Sequence, residues 1–427
     1  MASSKKTLPF RLPPPENFSA GGAGGHGCDL LVMAGEHSGD EHAARAVAAL
    51  RARQPGLRIC ALGGPQLAAA GAQLLHDLTA SSVVGFVEVL RSYSFFKTLF
   101  EEVLRWIAEY RPRAVCFVDY PGLHLRLAAA LRERGLSHKG GGPVRLLYYI
   151  SPQIWAWKPK RRFAMARDLD ALAVIFPFEV ECYADTDLPV EFVGHPFLSE
   201  GYAAPVAYDP EAPILLLPGS RRQAVARILP VLLRGLAAYE ARLGKQSAER
   251  GAVGEGERAA VEATILYPSG AVLAEIRAAG LPEHIRCVPT GGGALHASAV
   301  LTSSGTMSLH CALAGIPGAI AYRTNPLTYL LARYWVRLDY IGIANLLLRE
   351  PMYPEFIQGA AKPAALAEQL YACRNDPARR EKTAEQAARL RTLLNQPANG
   401  ANPTAAGATT TTPASNTVAD WLARWLT

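Results

Sequence analysis

The sequence predicts an α/β protein of two doubly wound domains that face each other across a cleft. Two observations carry this expectation. Apolar, strand-like runs alternate with helical patterns in both halves of the chain. A stretch bearing Pro205, Pro210 and Pro213 divides the halves. At 427 residues the chain is too long for one compact core, and two domains of about 200 residues each are the simplest division.

Composition narrows the class. Half of the residues are hydrophobic and 19% are charged, so the chain is globular rather than disordered. The net charge of +7 is too mild to imply nucleic acid, because no Lys/Arg run is interleaved with aromatics. It fits an anionic substrate or an anionic bilayer surface. The cysteines at 28, 60, 116, 182, 287, 311 and 373 are scattered without a CxxC, which predicts buried thiols in a reducing cytosol rather than disulfides or zinc. No apolar run of about 18 residues exists, so no membrane span is expected. Residues 1–27 contain Lys5 and Lys6 but no apolar core, and read as a flexible lead-in rather than a signal peptide.

Within the first domain, 28–200, Asp29–Met33 reads as a strand. AGEHSGD at 34–40 is its turn, and 41–53 is a helix. Small residues at Gly35, Ser38 and Gly39 permit close approach of a ligand, while the absence of GxGxxG argues against a dinucleotide fold. Glu36, Ser38 and Asp40 in this turn are candidate site residues, as is Glu88 in SSVVGFVEVL at 81–90. A strand at 57–62, a Gly63-Gly64-Pro65 turn and a helix to Ala70 follow. The helix near 93–110 carries Phe95, Phe96, Leu99, Phe100, Leu104 and Trp106 with Lys97 and Arg105 among them. Core packing is the main reading of that aromatic stripe and membrane contact the alternative.

Ala114–Val118 is a buried strand ending at Asp119. In an open α/β sheet, residues just past the carboxyl end of a strand line the ligand crevice. Asp119 is therefore a candidate general base, with a helix cap as the alternative. The strand at 145–150 runs into SPQIWAWKPKR at 151–161, which suits either a stacking wall with an anion clamp or a basic helix packed by its Trp faces. Strands at 171–175 and 190–193 precede FPFE at 176–179 and GHP at 194–196. His195, held between Gly and Pro, is a site residue or a hinge.

After a linker at 201–213, the second domain (214–394) opens on ILLLPGSRRQAVARILP at 214–230. Ile214–Leu217 reads as a strand buried on both faces, broken by Pro218-Gly219-Ser220 before a helix. A strand, a small-residue turn and a helix start aim backbone N–H groups at one point, a geometry suited to phosphate. Arg221 adds a planar fork of donors. A polar insertion at 244–258 and strands at 264–267, 285–288 and 299–302 follow. Ser304-Gly305-Thr306 is a second such turn, and two of them suit a sugar nucleotide; a Ser/Thr-capped helix is the local alternative. A helix at 327–336 and an apolar run at 341–347 around Asn345 come next, with Glu355 and Gln358 on a short helix start. A helix at 361–394, a low-complexity linker at 395–416 and an amphipathic terminal helix at 417–427 complete the chain.

Taken together, AGEHSGD, VVGFVEVL (83–90), SPQIWAW (151–157), IFPFE (175–179), FVGHP (192–196), LLPGSR (216–221), SGT (304–306) and the Asn345, Glu355 and Gln358 region resemble the lipid-A-disaccharide synthase family, in family order. The resemblance implies a GT-B fold of two Rossmann-like domains, an inverting UDP-sugar glycosyltransferase, and no metal or other cofactor. It implies transfer of 2,3-diacylglucosamine from its UDP conjugate to 2,3-diacylglucosamine 1-phosphate. By matched position Asp119 is the base. Gly219, Ser220, Arg221, Ser304, Gly305, Thr306, His310, Asn345, Glu355 and Gln358 fall on the UDP side. Family members are peripheral to the cytoplasmic face of the inner membrane, and a homodimer is compatible with the resemblance. Of the acylated substrates' surroundings, the Phe95–Trp106 helix is the best apolar supplier.

Three positions depart from the family pattern. Pro121-Gly122-Leu123-His124 stands where PDFN is typical, His310 where an acid follows SGT, and Ala224 where a glutamate follows PGSR. Another UDP-sugar GT-B enzyme, 2-epimerase-like or acting on a different lipid, is therefore a second reading, and a weakened nucleotide- or lipid-binding homologue a third.

Overall fold

The computed structural model describes residues 10–16, 27–80, 89–249, 260–325, 329, 339–395 and 417–427. Two compact units divide the chain: one runs to Pro196 and includes the C-terminal helix, the other is Phe197–Asn395. Glu88, the 327–336 helix apart from Tyr329, and the 395–416 linker beyond Asn395 lie outside the described residues.

In the first unit the order is β1 (Leu30–Ala34), α1 (His37–Arg53), β2 (Ile59–Gly63), α2 (Pro65–Ala69), β3 (Gln73–Asp77), α3 (Val89–Tyr110) and β4 (Ala114–Val118). Then come α4 (Pro121–Glu133), β5 (Arg145–Tyr149), α5 (Arg161–Asp168), β6 (Ala171–Val174) and β7 (Val190–Phe192). The strands form one parallel sheet in the order β3-β2-β1-β4-β5-β6-β7. Every residue of β1, β2 and β4 is buried, which is why these strands are apolar throughout rather than alternating.

The sheet order reverses between β1 and β4, so the loops after Ala34 and Val118 leave in opposite directions and open a crevice. Helix α1 begins at His37, four residues earlier than its sequence pattern indicates, so Ser38 and Asp40 sit in its first turn.

Helix α3 resolves the reading of its aromatic stripe. Leu99, Leu104 and Trp106 are fully buried, and Phe95, Phe96 and Phe100 pack against the same core. Phe10 meets both His76 and Phe95 edge-on. The lead-in is not loose over 10–16: Leu12 N–H donates to Glu102 (2.8 Å) and Trp106 Nε1–H to the Pro13 carbonyl (2.9 Å).

The second unit opens with β8 (Val206–Tyr208), which pairs in parallel with Leu295–Ala297. The expected linker at 201–213 is thus part of this unit; its prolines punctuate a strand instead of separating domains. After β8 come β9 (Ile214–Leu217), α6 (Arg222–Glu249), β10 (Ala263–Tyr267), α7 (Gly270–Ala278), β11 (Ile285–Pro289), β12 (Leu295–Ala297) and β13 (Ala299–Thr302). They are followed by α8 (Thr306–Leu313), β14 (Gly318–Tyr322), α9 (Ile343–Leu348) and β15 (Glu355–Ile357). The main sheet is parallel in the order β11-β10-β9-β13-β14-β15. Helix α6 continues through 244–249, where the sequence pattern indicates a polar insertion. The helical region 361–394 is two helices, α10 (Pro363–Asn375) and α11 (Pro377–Asn395), broken where Asp376 precedes a proline.

The last helix, α12 (Val418–Leu426), returns to the first unit and packs on α1. Thr417 and Asp420 form its capping box. Trp421 is fully buried, Arg53 pairs with Asp420, Arg424 pairs with Glu191, and Arg145 lies over the Trp425 ring.

Candidate functional site

The second sheet reverses its order between β9 and β13, and both small-residue turns leave from that point. Ser303 N–H donates to the Leu217 carbonyl (2.8 Å), locking the two turns side by side. Gly219 has φ of 118°, a left-handed value that favours glycine, and an added Cβ would sit 3.2 Å from Ala224 Cβ. Helix α6 starts three residues later and α8 starts at Thr306, so two helix N-termini present backbone N–H groups there.

Between the turns lies a cavity of about 390 Å³ walled by Gly219, Ser220, Arg221, Ser303, Ser304, Gly305 and Thr306, with Leu266, Pro268, Thr290 and Tyr322 among the other lining residues. Arg221 is the one charged side chain in this wall among the described residues, and no carboxylate joins it. The neighbouring Arg222 is tied to Glu275 (3.1 Å), which leaves Arg221 as the cation offered to the cavity. A site so built takes an anion with several oxygen acceptors.

Not every residue expected on the nucleotide side lines this cavity. His310 is buried in a ring stack, 3.8 Å from Phe197 and with its Nε2 3.1 Å from the Tyr202 hydroxyl, and thereby holds 197–202 against α8. Asn345 is fully buried, with Nδ2 donating to the Tyr353 carbonyl and Oδ1 accepting from Tyr353 N–H. Glu355 is on β15, not on a helix start, and accepts from Ile341 N–H, Gly342 N–H and Asn345 Nδ2. Its carboxylate thereby satisfies the open N-terminus of α9. Gln358, with φ of 54°, bonds both backbone groups of Thr324 through its side chain. In this conformation these four brace the walls instead of facing the cavity.

In the first unit, Asp119 follows β4 at the sheet's reversal point. Its φ is 48° and that of Tyr120 is 50°, both left-handed. Asp119 N–H donates to the Tyr149 carbonyl (3.0 Å), and its own carbonyl accepts from the Tyr148 hydroxyl and from His124 Nδ1, each at 2.6 Å. The Asp119 carboxyl is pushed up from its ordinary value chiefly by burial, opposed by the Tyr120 N–H and raised further by the charge of Glu36. Glu36 comes from the turn after β1, where Gly35 passes so close to the Tyr120 ring that a Cβ would lie 2.4 Å from it. His124, which stands outside the family pattern, is thus the ring that holds the Asp119 backbone.

Of the other candidates in this unit, Asp40 and His195 have packing partners. Asp40 is buried and its oxygens accept from Gly64, Gln66 and Leu67 N–H groups, which caps α2. His195 is buried with its ring 5.3 Å from Phe176. Ser38 stays exposed in α1. Glu179, whose carboxyl burial raises to about 8, accepts from Phe176 N–H and Trp155 Nε1–H, and so joins the SPQIWAW and FPFE stretches.

All seven cysteines are free thiols, five of them buried. Among the described residues no cluster of three or more His, Cys, Asp or Glu is placed to hold a metal ion, and no helix is long and apolar enough to cross a membrane.

Comparison with known proteins identifies the family. The family model described as lipid-A-disaccharide synthetase matches residues 30–246 and 292–408. Lipid-A-disaccharide synthase 1 of Legionella pneumophila (strain Lens) is 34% identical over 376 residues, covering 86% of this chain and 93% of its own. The lipid-A-disaccharide synthase of Nitrosococcus oceani is 34% identical over 367 residues, covering 82% of this chain and 88% of its own. Among solved structures, the glycotransferase of kitacinnamycin superposes with a TM-score of 0.51 at 14% identity, covering 93% of this chain and 99% of that one. A putative UDP-N-acetylglucosamine 2-epimerase from Listeria monocytogenes gives 0.52 at 12% identity, covering 86% and 93%. These two show the fold alone, the GT-B architecture of two doubly wound units. The family model and the relatives show more: the chain belongs to the lipid-A-disaccharide synthetase family and is a glycosyltransferase.

Proposed function

We propose that the protein transfers a 2,3-diacylglucosamine unit from its UDP conjugate to the 6-hydroxyl of 2,3-diacylglucosamine 1-phosphate. The products are the β-1,6 disaccharide 1-phosphate and UDP. The observation that supports this reading most is the pairing of the PGSR and SGT turns at one reversal point of the second sheet, around a cavity whose wall carries Arg221 and no carboxylate.

In this mechanism Asp119 takes the proton of the acceptor 6-hydroxyl as that oxygen attacks the anomeric carbon. The bond from that carbon to the UDP oxygen breaks, its electron pair leaves with UDP, and the configuration inverts. Arg221 and the N–H groups at the starts of α6 and α8 meet the charge on the leaving diphosphate. Burial makes Asp119 a stronger base than an ordinary carboxylate, which suits proton removal from a hydroxyl. Both substrates carry acyl chains, so the protein works peripherally at the cytoplasmic face of the inner membrane.

Incubating the full chain with both acylated substrates and detecting the disaccharide phosphate by mass tests the proposal. Turnover of non-acylated UDP-sugar in place of the acylated pair would favour the 2-epimerase-like reading.

A further inference from the structure

The loops after β4 and β5 leave neighbouring parallel strands at the same sheet edge, with Val118 paired to Tyr149. The first carries Asp119. The second carries a cluster of cations that the mechanism above does not use: Lys158, Lys160, Arg161 and Arg162. Of these only Arg162 has a carboxylate partner among the described residues, Asp185 at 2.5 Å. Lys158 has φ of 54°, and this left-handed turn brings its ammonium to 4.5 Å from the centre of the Trp157 ring, with the Arg161 guanidinium 5.2 Å from the same centre. Trp157 itself is 50% exposed, an unusual position for so large an apolar side chain.

Lys158 and Arg161 thus flank one indole at the start of α5, where the helix dipole is also positive. Like charges at a positive dipole end repel, and cation–π contact with one indole offsets only part of that. An anion at this point relieves the remainder. The charge of Arg161 also reaches Tyr148, the residue whose hydroxyl holds the Asp119 carbonyl. The two small-residue turns are built on the sheet of the second unit, and this cluster is built on the sheet of the first.

We propose that Lys158 and Arg161, with the Trp157 ring as a platform, form a subsite for the phosphate monoester of the sugar acceptor. The indole holds the two cations in place, and they take the phosphate oxygens. This rests on the function proposed above and assigns a further part of it. An anionic phospholipid headgroup offers similar chemistry, so the test separates the two sources.

The test is steady-state turnover of the full-length enzyme in detergent micelles, varying acceptor at saturating donor. K158A and R161A should each raise acceptor KM by about tenfold, and the double variant more, as expected for lost charge-assisted contacts. Calorimetric UDP affinity should stay unchanged. K158R should restore most of the loss. With an acceptor lacking the 1-phosphate, wild type and double variant should show the same KM. An unaltered acceptor KM in the double variant would overturn the subsite. So would loss of sedimentation with phosphatidylglycerol vesicles while acceptor KM in micelles is unchanged, which would assign the cluster to the headgroup. Absence of disaccharide from the wild type would instead overturn the underlying function.

Discussion

His124 Nδ1 lies 2.6 Å from the carbonyl oxygen of Asp119. A carbonyl only accepts, so the ring is protonated at Nδ1, and its Nε2 is buried without a partner. The Tyr148 hydroxyl donates to the same oxygen. Left-handed backbone costs a non-glycine residue roughly 1–2 kcal/mol, and Asp119 and Tyr120 adopt it in succession. The two donors hold that conformation. His124→Phe keeps the ring volume and deletes the donor. It should lower unfolding free energy by about 1 kcal/mol and reduce kcat with acceptor KM unchanged. Denaturant titration and initial rates measure both, and undiminished kcat would confine His124 to packing.

Burial also pushes His124 and His42 down to about 4. Between that value and the ordinary one of about 6.5 the unfolded chain binds more protons than the folded one, so stability falls as pH falls. The contribution is complete above the ordinary value and lost on approach to 4. Urea midpoints at pH 7 and pH 5 should therefore differ, and the difference should shrink in His124→Phe.

Asp119→Asn should abolish disaccharide formation and leave UDP affinity intact. Because the Asp119 carboxyl is raised by burial and by Glu36, the acid limb of kcat/KM should lie above the ordinary aspartate range. Glu36→Gln removes one raising charge and should move that limb to lower pH. A limb that stays in place would detach Glu36 from the base.

Arg221→Ala should weaken UDP binding by roughly 10- to 100-fold, the scale of a lost charge-assisted pair. Isothermal titration measures it, and an unchanged Kd would remove Arg221 from the diphosphate.

Asp40→Ala should act oppositely. It strips the acceptor from Gly64, Gln66 and Leu67 N–H groups, so stability should fall by about 1–2 kcal/mol with UDP Kd unaltered. A changed Kd would return Asp40 to the site.

Much of this was readable in the residues. The 214–217 strand, the turns at 218–220 and 304–306 and the placement of Asp119 past a strand are local patterns, and each element forms where the pattern indicates. Strand β3 leaves no apolar run in the sequence, because only Leu75 of QLLHD is buried. Strand β8 reads as linker because its partner lies nearly ninety residues away, and pairing at that distance leaves no trace in local composition. His310 has the right place in its motif for a ligand contact, but Phe197 and Tyr202 come to it from outside that motif.

The chain's own order of residues determined which segments become strands and helices, because apolar periodicity and turn chemistry act over a few neighbours. It also determined the family, through motifs that recur in sequence. The tertiary structure alone decided which loops meet. Parallel sheet order brings the two small-residue turns to one reversal point and sets His124 under Asp119, while hydrogen bonding commits Asp40, Asn345 and Glu355 to bracing. A buried polar group must find a partner wherever the fold supplies one, and that partner is not written beside it in the chain.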